Sequence, residues 1–310
     1  MSRRRNIEVH KRNLGEIREI MNSMKSLAYI ETRKLTKRIA AQRAVVESIE
    51  TAARDFLSFH PQAKSRRSSE SVRLVVGTER GFCGDLNQQL RRDVAAPAEA
   101  RDAAPEGGAG QQHLIIVGRK LHALFEDDGR VAAFVDGAET AEEVAAVLNR
   151  VVAELSALQQ HHGVLAVSLT YVGAEREPIT VQVLPSFTGS APAPRFANPP
   201  VLNLPPPEFL LAITDQYLFA ALNEILYAAL MEENHRRVTH LDGAVSHLDE
   251  QAEQLGRRLN ELRQEEIIEE IEVILLSATS EGGPPTADKK GSAQFVKKSK
   301  TFPSIDDFVR

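Results

Sequence analysis

The chain has one cysteine, Cys83, in 310 residues. An internal disulfide framework is therefore excluded, and a reducing compartment fits. It has no excess of basic charge either. The formal net charge is -5, whereas binding to a phosphate backbone needs a strongly basic surface, so no nucleic-acid partner is expected. The amino terminus, MSRRRNIEVHKR, has no apolar h-region, and it carries acidic residues that a mitochondrial presequence avoids. Uninterrupted apolar runs are missing too. The most apolar window, FLLAITDQYLFAALNEILYAALM, is broken by Asp215, Gln216, Asn223 and Glu224, which a bilayer would strand in hydrocarbon. A soluble chain is expected, free to dock to something in a membrane.

Proline is absent before Pro61 and again between Pro207 and Ser277, and in both regions helical periodicity runs unbroken. Leu14, Ile17, Met21, Met24, Ala28, Leu35, Ile49, Ala53 and Phe56 form a heptad-like stripe, which predicts one helix of roughly 55 residues, about 80 Å long. Glu31, Arg38 and Gln42 interrupt the stripe, so part of this helix faces solvent or a different partner. Near the other end, Val238, Leu241, Val245, Leu248, Ala252, Leu255, Leu259 and Leu262 alternate by three and four, the a/d spacing of a coiled-coil seam. A helix of about 70 residues spans roughly 105 Å and is marginal unless paired. Charge points to the partner. Residues 1–67 hold 16 Lys/Arg against 7 Asp/Glu, and residues 208–276 hold 5 against 15. The two terminal helices are expected to pair antiparallel, with the far end of the second protruding.

With 42% hydrophobic content the chain can also bury a sizeable core. The middle segments VRLVVG (72–77), HLIIVG (113–118), RVAAFV (130–135), VLAVSLTYV (164–172) and PITVQVLP (178–185) read as strands. Helical patterns at about 87–103, 119–127 and 140–160 separate the first four. This alternation predicts a largely parallel sheet with helices on its faces. Gly- and Pro-rich stretches interrupt it at 107–112 and at GSAPAPRFANPPVLNLPPP. The division expected is a helix over 1–60, an α/β domain over 70–190, a Pro-rich linker over 191–207, a helix over 208–279 and a disordered tail over 280–310. Phe295, Phe302 and Phe308 lie among basic residues of that tail.

Candidate chemistry is sparse. VVGTERGFCGDLN places Gly77, Gly81 and Gly84 where a strand turns into a helix, a geometry that can cradle phosphate. Their G-x-x-x-G-x-x-G spacing matches neither a dinucleotide fingerprint nor a P-loop, so a tight structural turn is the expectation. Cys83 has no base supplied by the sequence and reads as a packed thiol. The nine histidines form no metal-ligand signature, and RQEEIIEEIE reads as a solvated helix face. No catalytic, cofactor or metal residue is assigned. A coiled-coil adaptor and, less favoured, a nucleotide-binding enzyme are functions these features leave open.

Three motifs carry a resemblance. SMKSLAYIETRKL (23–35) looks like a Met-Lys-x-Val-Ala segment followed by Lys-Leu. TERGFCGDLN (78–87) is similar to Ser-Asp-Arg-Gly-Leu-Cys-Gly-Gly-Leu-Asn, and NELRQEEIIEEI (260–271) to Asn-x-x-Arg-Gln-x-x-Ile-Thr-x-Glu-Ile. In this order, across residues 4 to 279, they resemble the gamma subunits of F-type ATP synthases. The resemblance implies an α/β chain in which a long antiparallel coiled coil of the terminal helices carries a central Rossmann-like domain. It implies a non-catalytic central rotor that couples ion flow to ATP synthesis or hydrolysis in an alpha/beta ring. The implied partners are the alpha and beta subunits, the epsilon subunit and the membrane c-ring, with the complex peripheral on the cytoplasmic face of a bacterial inner membrane. Met24, Arg237, Arg263 and Gln264 match family positions where the shaft contacts the ring or couples rotation to it. AVSH (244–247) replaces Ala-Thr-Asp-Asn, and Ile268 replaces Thr, departures that suggest a divergent branch of alternative bacterial F-type ATPases.

Overall fold

The computed structural model describes residues 3–61, 70–96, 112–187 and 195–280. Of the expected 280–310 tail, residues 281–310 with the three phenylalanines lie outside them, as do residues 191–194 of the expected linker. Two helices dominate. α1 spans Arg3–Phe59 and α5 spans Pro206–Ser280, about 85 and 110 Å at the standard rise. Between them run β1 (Glu70–Val76), α2 (Leu86–Ala95), β2 (Gln112–Val117), α3 (Arg119–His122), β3 (Val131–Val135), α4 (Val144–His162), β4 (Leu165–Val172) and β5 (Pro178–Leu184).

The five strands make one sheet in the order β3-β2-β1-β4-β5, parallel except for the antiparallel edge pair β4/β5. β1 is central and buried on both faces, as a β-branched run flanked by parallel neighbours should be. Its alternate residues serve different layers. Val72, Leu74 and Val76 face α4, α5 and the α1 residues Leu35 and Ile39, whereas Val75 meets Leu90 of α2, Leu121 of α3 and Phe125. Arg73 shares the α2 side, 1% exposed. Its guanidinium donates to Thr170 Oγ1 at 2.7 Å and Thr180 Oγ1 at 3.1 Å and pairs with Asp93, so the buried charge is compensated.

α3 is shorter than the 119–127 pattern suggests. After His122 the backbone tightens into i→i+3 turns, with Leu124 donating to Leu121 and Phe125 to His122. The Asp128 carboxylate then accepts from Arg130 Nε at 2.9 Å and from Arg91 at 3.2 Å. These bonds hold the Asp128 carboxyl down at about 2 and fix the turn before β3.

Among the described residues, α5 is long and apolar enough to cross a membrane. Its apolar residues Ala221, Leu222, Ile225, Leu226 and Leu230 are instead spent on the sheet.

Candidate functional site: a two-helix rod latched to the sheet

α1 and α5 pair antiparallel along a single register. Arg18 pairs with Asp249 at 2.5 Å, Lys25 with Asp242 at 2.9 Å and Arg43 with Glu224 at 3.3 Å, while Phe56 packs on Phe209 with ring centroids 4.8 Å apart. The basic helix thus lies against the acidic one. Leu241, Val245 and Leu262 are buried in the seam, and Val238, Leu248, Ala252, Leu255 and Leu259 are half-buried. Two of the three residues that break the α1 stripe have a partner of their own: Glu31 accepts the Ala141 N–H at 3.2 Å, and Arg38 donates to the Ala141 carbonyl at 3.1 Å and to Glu142 at 3.0 Å. They dock the rod onto the segment that opens α4.

Arg4, at the start of α1, pairs with Glu266 at 3.1 Å, so α5 continues past the end of its partner. There Ile267, Ile268, Ile271, Val273 and Ile274 are 47% to 65% exposed. Arg263 and Gln264 are exposed at the base of this projecting tip, and Met24 is half-buried lower on the rod.

Arg237 lies elsewhere. It is 6% exposed, and its guanidinium is spent inside the chain, on Glu233 one turn away, on Asn234 Oδ1 at 3.0 Å and on the Gly81 carbonyl at 3.3 Å. The Gly-rich turn after β1 is its partner. Gly77 is required there because a Cβ would stand 2.6 Å from that of Leu121, and Gly84 has φ of +62°. Asn87 closes the turn by accepting the Thr78 N–H at 3.1 Å. The Glu233 carboxylate accepts the N–H groups of Glu79 at 3.4 Å and Arg80 at 3.3 Å. Those are the donors that a phosphate would seek at such a turn, and a side chain of α5 occupies them. Glu79 extends the latch by accepting from Gly137 N–H at 2.8 Å and Arg119 N–H at 2.9 Å. The space left at the strand ends, bounded by Gly77, Val117, Gly137, Leu226 and Glu233, is about 20 Å³, room for one water and far below a ligand pocket.

Burial raises the Glu233 carboxyl above the usual range, with Arg237 and the two N–H groups pulling it back. Burial likewise pushes the Cys83 thiol up to about 12, helped by the Glu233 charge. A thiol so held is not a nucleophile.

Sequence reasoning missed one constellation. Glu70, His113 and His162 converge at the edge of the sheet where the parallel strands begin. They come from β1, β2 and α4, so no local spacing announces them.

The family model described as ATP synthase matches residues 4–280. Over 301 residues, 90% of this chain and 99% of the relative, the chain is 25% identical to the ATP synthase gamma chain of Heliobacterium modesticaldum. Its fold is similar to a chain in the cryo-EM structure of the Euglena gracilis mitochondrial ATP synthase (OSCP/F1/c-ring, rotational state 3), with TM-score 0.60, 15% identity and coverage of 93% of this chain and 99% of that one. A chain of the rotor of the same organism's enzyme in rotational state 1 gives 0.56, at 15% identity, covering 85% and 98%.

Proposed function

The chain belongs to the ATP synthase family, as a homologue of its gamma chains, and on that premise we propose that it is the central rotor of an F-type ion-translocating complex. The rod of α1 and α5 turns inside a ring of alpha and beta subunits. The α/β domain rests with the epsilon subunit on the membrane c-ring, at the cytoplasmic face of a bacterial inner membrane. ATP is made or hydrolysed on the ring, and this chain contributes no catalytic residue. Its work is mechanical. A rod without threefold symmetry gives three otherwise equivalent sites three different surroundings, and each site's affinity follows the contacts it meets.

The observation that carries this reading is the rod itself: a charge-matched antiparallel pair whose longer helix projects an exposed apolar tip. On this reading the mechanical division is a rod of 1–60 and 208–279, a domain of 70–190 and a linker of 191–207. Met24, Arg263 and Gln264 touch the ring. Arg263 offers a planar fork to acidic loops, and Gln264 donates and accepts in a passing hydrogen bond. Arg237 couples rotation indirectly, by holding the turn of the domain to the rod. The departures at 244–247 and Ile268 support a divergent, alternative branch.

Reconstitution tests the proposal. Added to its own alpha and beta partners in a complex lacking gamma, the chain restores ion-coupled ATP turnover. A complex that assembles with the chain yet shows no coupled turnover overturns the assignment.

A further inference from the structure

We propose that Glu70, His113 and His162 form a binding site for one divalent cation of the zinc class. The three residues sit on neighbouring elements. Glu70 opens β1, and His113 lies near the start of β2, its adjacent strand, opposite Val72. His162 ends α4, which leads directly into β4, the other neighbour of β1, where Leu165 pairs with Glu70. The fold thus brings one carboxylate and two imidazoles to a single point.

His162 Nδ1 is 2.6 Å from Glu70 Oε2, and His113 Nε2 is 3.5 Å from the same oxygen. All three donor atoms lie within 4.8 Å of one another. Four tetrahedral ligands at zinc–nitrogen and zinc–oxygen lengths stand about 3.4 Å apart, so small side-chain rotations bring the donors onto a common ion. The imidazole rings tilt together, with centroids 4.4 Å apart.

A second observation points the same way. The His113 side chain is only 12% exposed, and its Nε2 is buried without a hydrogen bond. A buried polar atom left so is an exception that asks for a cause, and a lone pair aimed at a cation supplies one. A simple ion pair would need one histidine, whereas here two ring nitrogens face one carboxylate oxygen. Glu70 and His162, each 30% exposed, leave an entry path and a fourth position for water. Two nitrogen donors out of three select zinc, cobalt or nickel and disfavour magnesium and calcium. Bound there, the ion would tie β1, β2 and α4 together at the edge opposite the Gly81 turn.

Titration calorimetry of the full-length, tag-free chain with Zn²⁺ tests this, alongside the visible absorption of Co²⁺. One Zn²⁺ per chain is expected, with a tetrahedral Co²⁺ spectrum and no Mg²⁺ binding. His162→Gln and His113→Gln should each weaken Zn²⁺ by about tenfold or more, and zinc should raise the Tm of the wild type but not of the double variant. If His113→Gln does not fold, as judged by circular dichroism, Glu70→Gln and His162→Gln decide. Absence of a one-to-one Zn²⁺ complex, or equal affinity in His162→Gln, overturns the proposal. Both are read on the isolated chain, so they leave the rotor reading standing or falling on its own test.

Discussion

Arg237 of α5 donates to the carbonyl of Gly81 at 3.3 Å, joining the rod to the turn at the end of the central strand. The same guanidinium neutralises Glu233, and both side chains are buried. Arg237→Ala leaves a buried carboxylate without its counter-charge, at a cost of about 3–5 kcal/mol. The urea-unfolding free energy measures it, and Glu233→Gln combined with Arg237→Met should recover most of the loss. A single variant within about 0.5 kcal/mol of wild type would mean that the latch bears no weight.

Cys83, 5% exposed and held up at about 12, carries at pH 8 about one thiolate in ten thousand chains. Iodoacetamide should therefore label it only as fast as the chain unfolds. Rapid stoichiometric labelling of the folded chain would contradict the buried geometry.

Asp128 titrates at about 2 because Arg130 and then Arg91 hold its charge. Its folded value is depressed below the unfolded value of about 3.9, so its stabilisation is fully present above pH 4 and disappears as pH falls through 2. Solvent around the two guanidiniums limits it to about 1 kcal/mol. Asp128→Asn should be less stable by that amount at pH 7, and the gap to wild type should close on acidification. A gap that persists at pH 2 excludes the ionic cause.

Along the rod, the Arg18–Asp249 pair is partly exposed, and its coupling is expected at about 0.2–1 kcal/mol. A double-mutant cycle of Arg18→Ala and Asp249→Ala in urea reads it, and 0.5 M salt should shrink it. Coupling unchanged by salt would point to packing rather than charge.

Arg263 and Gln264 are exposed and should leave the stability of the isolated chain within about 0.5 kcal/mol when changed to alanine. Arg263→Ala should slow coupled turnover of the assembled complex by about tenfold, the worth of one charge-assisted hydrogen bond. Wild-type turnover in both variants would remove them from the ring contact.

Periodicity carried the long elements because long elements repeat their pattern many times. All five strands and both terminal helices show in hydrophobic spacing, and the regional charge imbalance foretold which helix pairs with which. Ile17 marks a limit: it sits on the stripe yet is 43% exposed, since a two-stranded seam covers a narrower face than the stripe is wide. α3 was overextended because its i→i+3 turns share helical composition. Arg73 and Glu233 were illegible for another reason. Each looks like an ordinary surface charge in one dimension, and only the tertiary placement of Asp93, Thr170 and Arg237 makes burial tolerable. Glu70, His113 and His162 meet for the same topological reason, through the crossovers on either side of β1.

α5 runs without a break from Pro206 to Ser280, and its lower part is built into the core beneath the sheet. No joint separates the part gripped by the domain from the part that emerges. An angular displacement imposed at the foot therefore arrives at the summit less only the torsional give of the helices themselves, and compliance in such a drive must come from winding and unwinding of the pair rather than from a hinge.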